Sequence, residues 1–108
     1  MEYNFTKDGK WRIISVNGSI NFEAANELQS VFEKVLSEGE KFVRLNLKKV
    51  PVSNSSGISA ILVLYRNLKK RDGMLEIKGI SKNLAEMFRL LKIDRIIKIE
   101  DEESAENV

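Results

Sequence analysis

The sequence predicts an α/β domain with a mostly parallel sheet, and three observations support this fold class. Short apolar runs typical of strands alternate along the chain with segments of helical periodicity. Parallel strands need crossover helices between them, and these segments are long enough to supply them. The chain has 108 residues, of which 43% are apolar, and this fits one compact domain over residues 1–108. We expect four to five strands, with an antiparallel edge strand at the N-terminus, and about four helices.

The first third of the chain is predicted to form a hairpin followed by a helix. The pair Asp8-Gly9 separates an extended segment over residues 2–6 from another over 11–16, which is typical of a hairpin turn. Asn21 is placed to cap the helix that follows. The apolar positions of this helix share one face; they are Ala24, Ala25, Leu28, Val31, Phe32, Val35 and Leu36.

The middle of the chain is predicted to form a buried strand and a second helix, joined by a serine-rich loop. Residues 42–47 are mostly apolar and partly alternating, which suits a strand inside a sheet. Residues 57–68 are apolar around most of a helix. This pattern predicts either burial on most sides or an exposed face that binds a partner.

The last third of the chain is predicted to hold two more strands, over residues 74–78 and 96–99, with a third helix between them. Ser81 is placed to cap that helix, whose predicted apolar face contains Leu84, Met87, Phe88 and Leu91. Residues 100–108 form an acidic tail. The sequence is compatible with either a short helix or a frayed, solvated segment at these positions.

The composition excludes several classes of function. The chain has no cysteine and no histidine, so disulfides, zinc–thiolate sites and the usual pairs of nucleophile and base cannot be built. Its acidic residues lack the spacing of a calcium loop, and it has no Walker-type or dinucleotide-binding glycine motif. We therefore predict that the protein is not an enzyme and uses no metal or cofactor.

The charge and the hydropathy also narrow the choice of partners. The formal net charge of +2 is too small to indicate direct nucleic-acid binding without a clustered basic stripe. The N-terminus lacks the pattern of a signal peptide, and no window approaches the roughly 18 apolar residues of a membrane span. These observations predict a soluble, cytoplasmic protein without membrane insertion.

The loop over residues 50–57, between the third predicted strand and the second helix, is the main candidate site. Backbone N–H groups at a helix start lack partners within the helix, and the helix dipole adds about half a positive charge there. An anion attached at Ser55 or Ser56 would be stabilised, so either serine is a candidate phosphoacceptor. The alternative is that Asn54 or Ser55 serves only as an N-cap, and the two roles are compatible. Because ligands of open parallel sheets bind at the carboxyl ends of the strands, this loop is expected on a functional edge.

Four motifs occur in an order that resembles STAS-domain proteins, specifically the bacterial anti-sigma factor antagonists. They are Gly18-Ser19-Ile20-Asn21, Leu45-Asn46-Leu47, Asn54-Ser55-Ser56-Gly57 and the run from Leu90 to Ile99. The family has a Gly-x-Leu-Asp turn before the first helix, Asp-Ser-Ser-Gly or a close variant at the second, and a leucine-rich segment that runs into an isoleucine-rich last strand. The resemblance covers nearly the whole chain.

The resemblance implies a regulator of transcription that switches partners. In this family the unphosphorylated protein binds an anti-sigma factor that is also a serine kinase, and phosphorylation by that kinase ends the complex. By position, Ser55 is the implied phosphoacceptor, while Ser56 and Gly57 shape the helix start beside it. Asn21 falls in a loop that contributes to the partner surface, and Asn54 precedes the phosphoserine. A phosphoserine phosphatase is an implied second partner.

Two positions depart from the family pattern. Asn21 and Asn54 stand where the family usually has Asp, so two carboxylates near the site are replaced by amides. If the acids dock a basic partner, this protein is expected to have a divergent partner or to be a poor kinase substrate. If they act as caps, Asn replaces Asp with little loss. A second hypothesis is a STAS-like accessory subunit of a membrane transport complex, in which phosphorylation plays no role.

Overall fold

The computed structural model describes residues 1–100, which form one five-stranded sheet with helices between its strands. The elements in chain order are β1 (Glu2–Asp8), β2 (Trp11–Asn17), α1 (Phe22–Ser37), β3 (Phe42–Lys49), α2 (Ser55–Lys70), β4 (Met74–Ile80), α3 (Lys82–Leu90) and β5 (Lys98–Glu100). A 3-10 turn over Ile93–Arg95 connects α3 to β5. The strands lie in the order β1-β2-β3-β4-β5; β1 is antiparallel to β2, and every later neighbour is parallel.

The predicted fold class and the antiparallel edge strand are confirmed. The sheet has five strands, within the predicted range. The prediction of about four helices is too high for residues 1–100, which contain three α-helices and the 3-10 turn. Glu100 ends β5, and the rest of the predicted acidic tail or short helix lies outside the described residues.

The three helices pack on one face of the sheet. Each parallel strand is added on the same side of the previous one, and right-handed crossovers then place every connecting helix on the same face. The side chains of β3 show this arrangement directly. Val43, Leu45 and Leu47 are fully buried under the helices, while Arg44 and Asn46 point to the other face and are only partly covered.

The uncovered face of the sheet carries a cluster of charged and aromatic side chains. The Arg44 guanidinium bonds to the carboxylate of Glu76, which is itself buried. Its Cζ atom lies 4.7 Å from the centre of the Trp11 ring, and its Nη1 atom lies 3.7 Å from Asp8 Oδ2. A single cation therefore connects β1, β2, β3 and β4 across this face, and the buried carboxylate has its partner.

Two expectations for apolar residues are revised by the structure. Helix α2 is buried along one face, by Ile58, Ile61, Leu64 and Leu68, while Val63 on its other side is 44% exposed. Leu91 was expected on the buried face of α3, but it is 55% exposed. The reason is that α3 ends at Leu90, and the chain then turns at Lys92, whose φ is +61°. No helix within residues 1–100 is long and apolar enough to cross a membrane.

Candidate functional site

Backbone hydrogen bonds join two loops at the carboxyl edge, which is the edge where β2, β3 and β4 end. One loop connects β2 to α1 and the other connects β3 to α2. The N–H of Ile20 donates to the carbonyl of Val52 at 3.0 Å, and the N–H of Asn54 donates to the carbonyl of Ile20 at 2.9 Å. Ile20 and Ser53 thereby form a short parallel bridge that extends the sheet pairing into both loops. The starts of α1 and α2 are consequently held in a fixed relation.

Both predicted asparagine caps are confirmed. Asn21 Oδ1 accepts from the N–H of Ala24 at 2.9 Å, and Asn54 Oδ1 accepts from the N–H of Gly57 at 2.9 Å. Both asparagines have an extended backbone, as N-cap residues do. Helix α2 begins at Ser55, two residues earlier than the apolar pattern predicted. Of the two candidate caps for α2, Asn54 is the cap and Ser55 is the first helical residue.

Removal of the Asn54 cap should destabilise the domain by about 1 kcal/mol, the usual cost of replacing such a cap with alanine. We expect Asn54→Ala to lower the free energy of unfolding by this amount in urea titrations. Asn54→Asp should equal or exceed the native stability, because a carboxylate keeps the cap and also interacts favourably with the helix N-terminus. If Asn54→Asp were as unstable as Asn54→Ala, capping would not explain the amide at this position.

Ser55 and Ser56 present exposed hydroxyl groups at the first two positions of α2. The N–H groups of these two residues have no partner within the helix. The first turn contains no acidic side chain that would compete for them. A phosphate at this point would therefore meet free donors and the positive end of the helix dipole.

A third serine in the same loop is buried. Ser53 is 4% exposed, and its hydroxyl donates to the carbonyl of Asn54 at 3.0 Å. This serine is therefore inaccessible to a kinase, and its side chain packs inside the loop. The sequence contained no local signal for this difference, because it arises from pairing with Ile20, 33 residues earlier.

Gly57 lies at the contact between α2 and both loops. A Cβ atom at this position would lie 2.3 Å from Ser53 Oγ and 2.7 Å from Ile20 Cγ2, well inside van der Waals contact. The family resemblance implied only that Gly57 shapes the helix start. In the structure it is also buried, and its lack of a side chain permits the close approach of the two loops.

A cleft of about 410 Å³ runs between α1 and α2, with Ser55 and Ser56 at one end. Amide and hydroxyl groups line it, including Asn26, Gln29 and Ser59, over a partly apolar floor. The cleft adjoins the serines, and its lining also includes the carboxylate-bearing Glu33. It offers space beside the helix start for a side chain of another molecule.

Two large apolar side chains are exposed beside the serine loop. Phe22, the first residue of α1, is 67% exposed, and Val52 is 48% exposed. Neither residue was predicted to belong to the site, although the sequence shows Phe22 just outside the periodic helix face and Val52 directly after Pro51. Both side chains add exposed apolar surface next to the exposed serines.

Fold and site together define a class of protein: a small α/β domain, covered by helices on one face, that displays a serine-bearing helix start at its carboxyl edge. The chain belongs to the STAS domain family, whose model matches residues 2–105. The resemblance found in the sequence is thus confirmed. Among curated proteins, the anti-sigma-B factor antagonist of Staphylococcus aureus is 21% identical over 96 residues, or 89% of each chain.

Solved structures share the fold of this chain at low sequence identity. A candidate anti-sigma factor antagonist from Thermotoga maritima aligns with a TM-score of 0.86 and 23% identity, over 98% of this chain and 93% of that one. Phosphorylated SpoIIAA from Bacillus aligns with a TM-score of 0.73 and 16% identity, over 98% and 97%. A sulfate transporter family protein from Wolinella succinogenes aligns with a TM-score of 0.75 and 23% identity, over 89% and 80%. The same fold therefore occurs both in anti-sigma factor antagonists and in a sulfate transporter family protein.

Proposed function

We propose that this protein is an anti-sigma factor antagonist, which binds a serine-kinase anti-sigma factor and is switched off by phosphorylation at Ser55. The observation that carries the proposal is the exposed Ser55 hydroxyl at the first position of α2. The similarity to the Staphylococcus aureus antagonist supports the class of function, and the known phosphorylated form of SpoIIAA supports the type of switch. Both relatives are distant, so the assignment to this chain rests on its own site.

The site can accept a phosphate without refolding of the domain. A phosphoserine at position 55 would add about −1.5 to −2 charges and three acceptor oxygens. The free N–H groups of the first turn and the helix dipole would stabilise that charge. The same phosphate would be buried or crowded by a partner that packs on Phe22 and Val52, and its desolvation would weaken the complex.

The two asparagines are compatible with this role. Asn21 and Asn54 both cap helices with their side-chain oxygens, which is the function that the family's aspartates can also serve. The replacement leaves the site less negative. A partner of this protein therefore needs no basic group opposite these two positions.

Mass spectrometry after incubation with a kinase tests the proposal. The protein would be incubated with ATP and with each candidate kinase anti-sigma factor encoded in the same genome, then examined by intact mass and peptide mapping. We expect one phosphoryl group, located on Ser55, and no modification of Ser55→Ala. Ser56→Ala is the matched control, because it removes the neighbouring exposed hydroxyl. Modification only at Ser56, or none with any candidate kinase, would overturn the proposal.

Several further properties follow from the proposed role. The protein acts by binding and has no catalytic activity, in keeping with its lack of histidine and cysteine. Its partners are the kinase and a phosphoserine phosphatase that restores Ser55, with no direct contact to nucleic acid and no cofactor. Because the kinase and its ATP are intracellular, we place the protein in the cytoplasm, where it regulates transcription in bacteria.

The second candidate is an accessory subunit of a membrane transport complex, which the similarity to the sulfate transporter family protein favours. In that role the carboxyl edge would bind a transporter component, and loss of the Ser55 hydroxyl would leave the function intact. A transport assay with Ser55→Ala and Ser55→Asp separates the two candidates. Loss of transport when the protein is removed, restored equally by the native protein and both variants, would favour the transport role, whereas unchanged transport without the protein would exclude it.

A further inference from the structure

Four large apolar side chains are exposed at the amino edge, where the parallel strands begin. Leu90 is 80% exposed, Leu91 55%, Ile96 52% and Met74 48%. Helix α3 ends at Leu90 and β4 begins at Met74, so these residues lie at the opposite edge from Ser55. A side chain inside a groove loses most of its accessible surface to the walls. Leu90 therefore projects from the molecule.

Basic side chains alternate with these apolar residues along the chain. Arg89, Lys92 and Arg95 are exposed, and within residues 1–100 none of them forms an ion pair. Asp94 is the one acidic residue between positions 89 and 96. Arg89, Lys92 and Arg95 therefore outnumber the one carboxylate of this segment, and Glu86, one turn before Leu90 on α3, is a further exposed carboxylate.

The end of α2 adds further basic groups to the same surface. A cavity of about 280 Å³ brings Ile96 and Met74 together with Lys69 and Lys98. The Lys69 ammonium donates to the Tyr65 hydroxyl at 3.2 Å and keeps its charge unpaired by an acid among the described residues, whereas Lys98 pairs with Glu100 at 3.2 Å. We call this surface the apolar–basic patch; it consists of Lys69, Met74, Arg89, Leu90, Leu91, Lys92, Arg95, Ile96 and Lys98.

The requirements of the fold do not explain the patch. A cation in the last turn of a helix interacts favourably with the helix dipole, and this accounts for Arg89. Lys92 and Arg95 lie beyond the end of α3. Leu90 gains little from the fold, since four fifths of it remains in contact with water, and Leu91 keeps more than half of its surface exposed.

We propose that the apolar–basic patch binds an anionic lipid surface. Projecting aliphatic side chains can enter the boundary between headgroups and acyl chains, while surrounding lysines and arginines attract the anionic headgroups. A bilayer adapts to projecting side chains, whereas a protein partner would need a pocket shaped to receive them. This inference is independent of the role of Ser55. In the bound orientation the carboxyl edge faces away from the lipid and stays open to a protein partner.

Vesicle sedimentation tests this inference with two lipid compositions. The full chain would be mixed with vesicles of phosphatidylcholine alone and with vesicles that contain phosphatidylglycerol. We expect binding to the anionic vesicles only, with at least a tenfold loss of affinity when salt is raised from about 0.05 M to 0.5 M, because screening weakens the contacts. Equal binding to both compositions would exclude recognition of lipid charge. Absence of binding to the anionic vesicles at low salt would also overturn the proposal and leave an acidic protein as the occupant.

Paired variants locate the contact on the patch. We expect the double variant Leu90→Ser/Leu91→Ser to bind anionic vesicles at least tenfold more weakly, and Lys92→Gln to bind several-fold more weakly. Val63→Ser is the apolar control, since Val63 is 44% exposed on α2. Lys82→Gln is the charge control, because Lys82 lies at the other end of α3. Circular dichroism would establish that each variant is folded. Native affinity in the leucine variant would place the contact elsewhere.

Discussion

Phosphorylation of Ser55 should weaken the complex with the kinase anti-sigma factor about a thousandfold, which corresponds to about 4 kcal/mol of binding free energy. The added charge lies at an exposed helix start beside Phe22 and Val52. Within the free domain, water and the helix N-terminus solvate the phosphate. In the complex a closely packed partner would remove that water, and an uncompensated charge is costly to desolvate. The loss should appear mainly in the dissociation rate.

Isothermal titration of the partner against three variants tests this expectation. Ser55→Ala should bind like the unphosphorylated protein and resist phosphorylation. Ser55→Asp should bind more weakly, although less so than the phosphoprotein, because one carboxylate carries less charge and fewer acceptors. Ser56→Ala controls for the loss of an adjacent hydroxyl and should be both bound and phosphorylated. Equal affinity of Ser55→Ala, Ser55→Asp and the phosphoprotein would contradict a switch at this residue.

The switch should operate without rearrangement of the core. Ser55 is exposed, whereas the residue that connects the two loops, Ile20, is 2% exposed and held by backbone hydrogen bonds. We therefore expect phosphorylation to shift amide NMR signals near the start of α2 and to leave those of β3 and β4 nearly unchanged. Large shifts throughout β3 would indicate a conformational mechanism in place of one that acts at the interface.

The fold and the helix caps could be predicted from the sequence because their signals are local. Periodicity identified the five strands and three α-helices within residues 1–100, although the last strand begins at Lys98 and not at Ile96; Asn21, Asn54 and Ser81 cap the three helices. The Asp8-Gly9 turn likewise marked the antiparallel hairpin. Each of these features depends on residues within a few positions of each other.

The features that escaped prediction depend on contacts between distant segments. Ser53 is buried because it pairs with Ile20, whereas Ser55 and Ser56 are exposed. The local sequence does not distinguish the three serines. Leu91 continues the apolar spacing of α3 but is exposed, because the chain turns at Lys92. Periodicity shows which side chains could share a face; it does not show where a helix ends against its neighbours.

Gly57→Ala is expected to cause the largest loss in the free energy of unfolding. This is the opposite of the stabilisation that the same replacement usually produces within a helix. Replacing glycine by alanine within a helix usually stabilises it by about 0.5–1 kcal/mol. Here the new Cβ would lie 2.3 Å from Ser53 Oγ and 2.7 Å from Ile20 Cγ2. Overpacking of this kind costs about 1–3 kcal/mol, and we expect the upper end because both neighbours belong to a hydrogen-bonded loop pair. Urea titration and the melting temperature measure the loss.

A double variant can distinguish this steric cause from a change in helix propensity. Ser53→Ala removes the nearer of the two atoms, so Gly57→Ala should be less destabilising in that background, with a coupling of about 1 kcal/mol. Ser59→Ala, two residues after Gly57 on the exposed side of α2, is the control and should change stability by less than about 0.5 kcal/mol. Because Gly57 sets the spacing between the loops that carry Asn21 and Asn54, Gly57→Ala should also weaken partner binding. If Gly57→Ala were as stable as the native protein, the two loops would be free to separate, and the fixed geometry assigned to the carboxyl edge would be wrong.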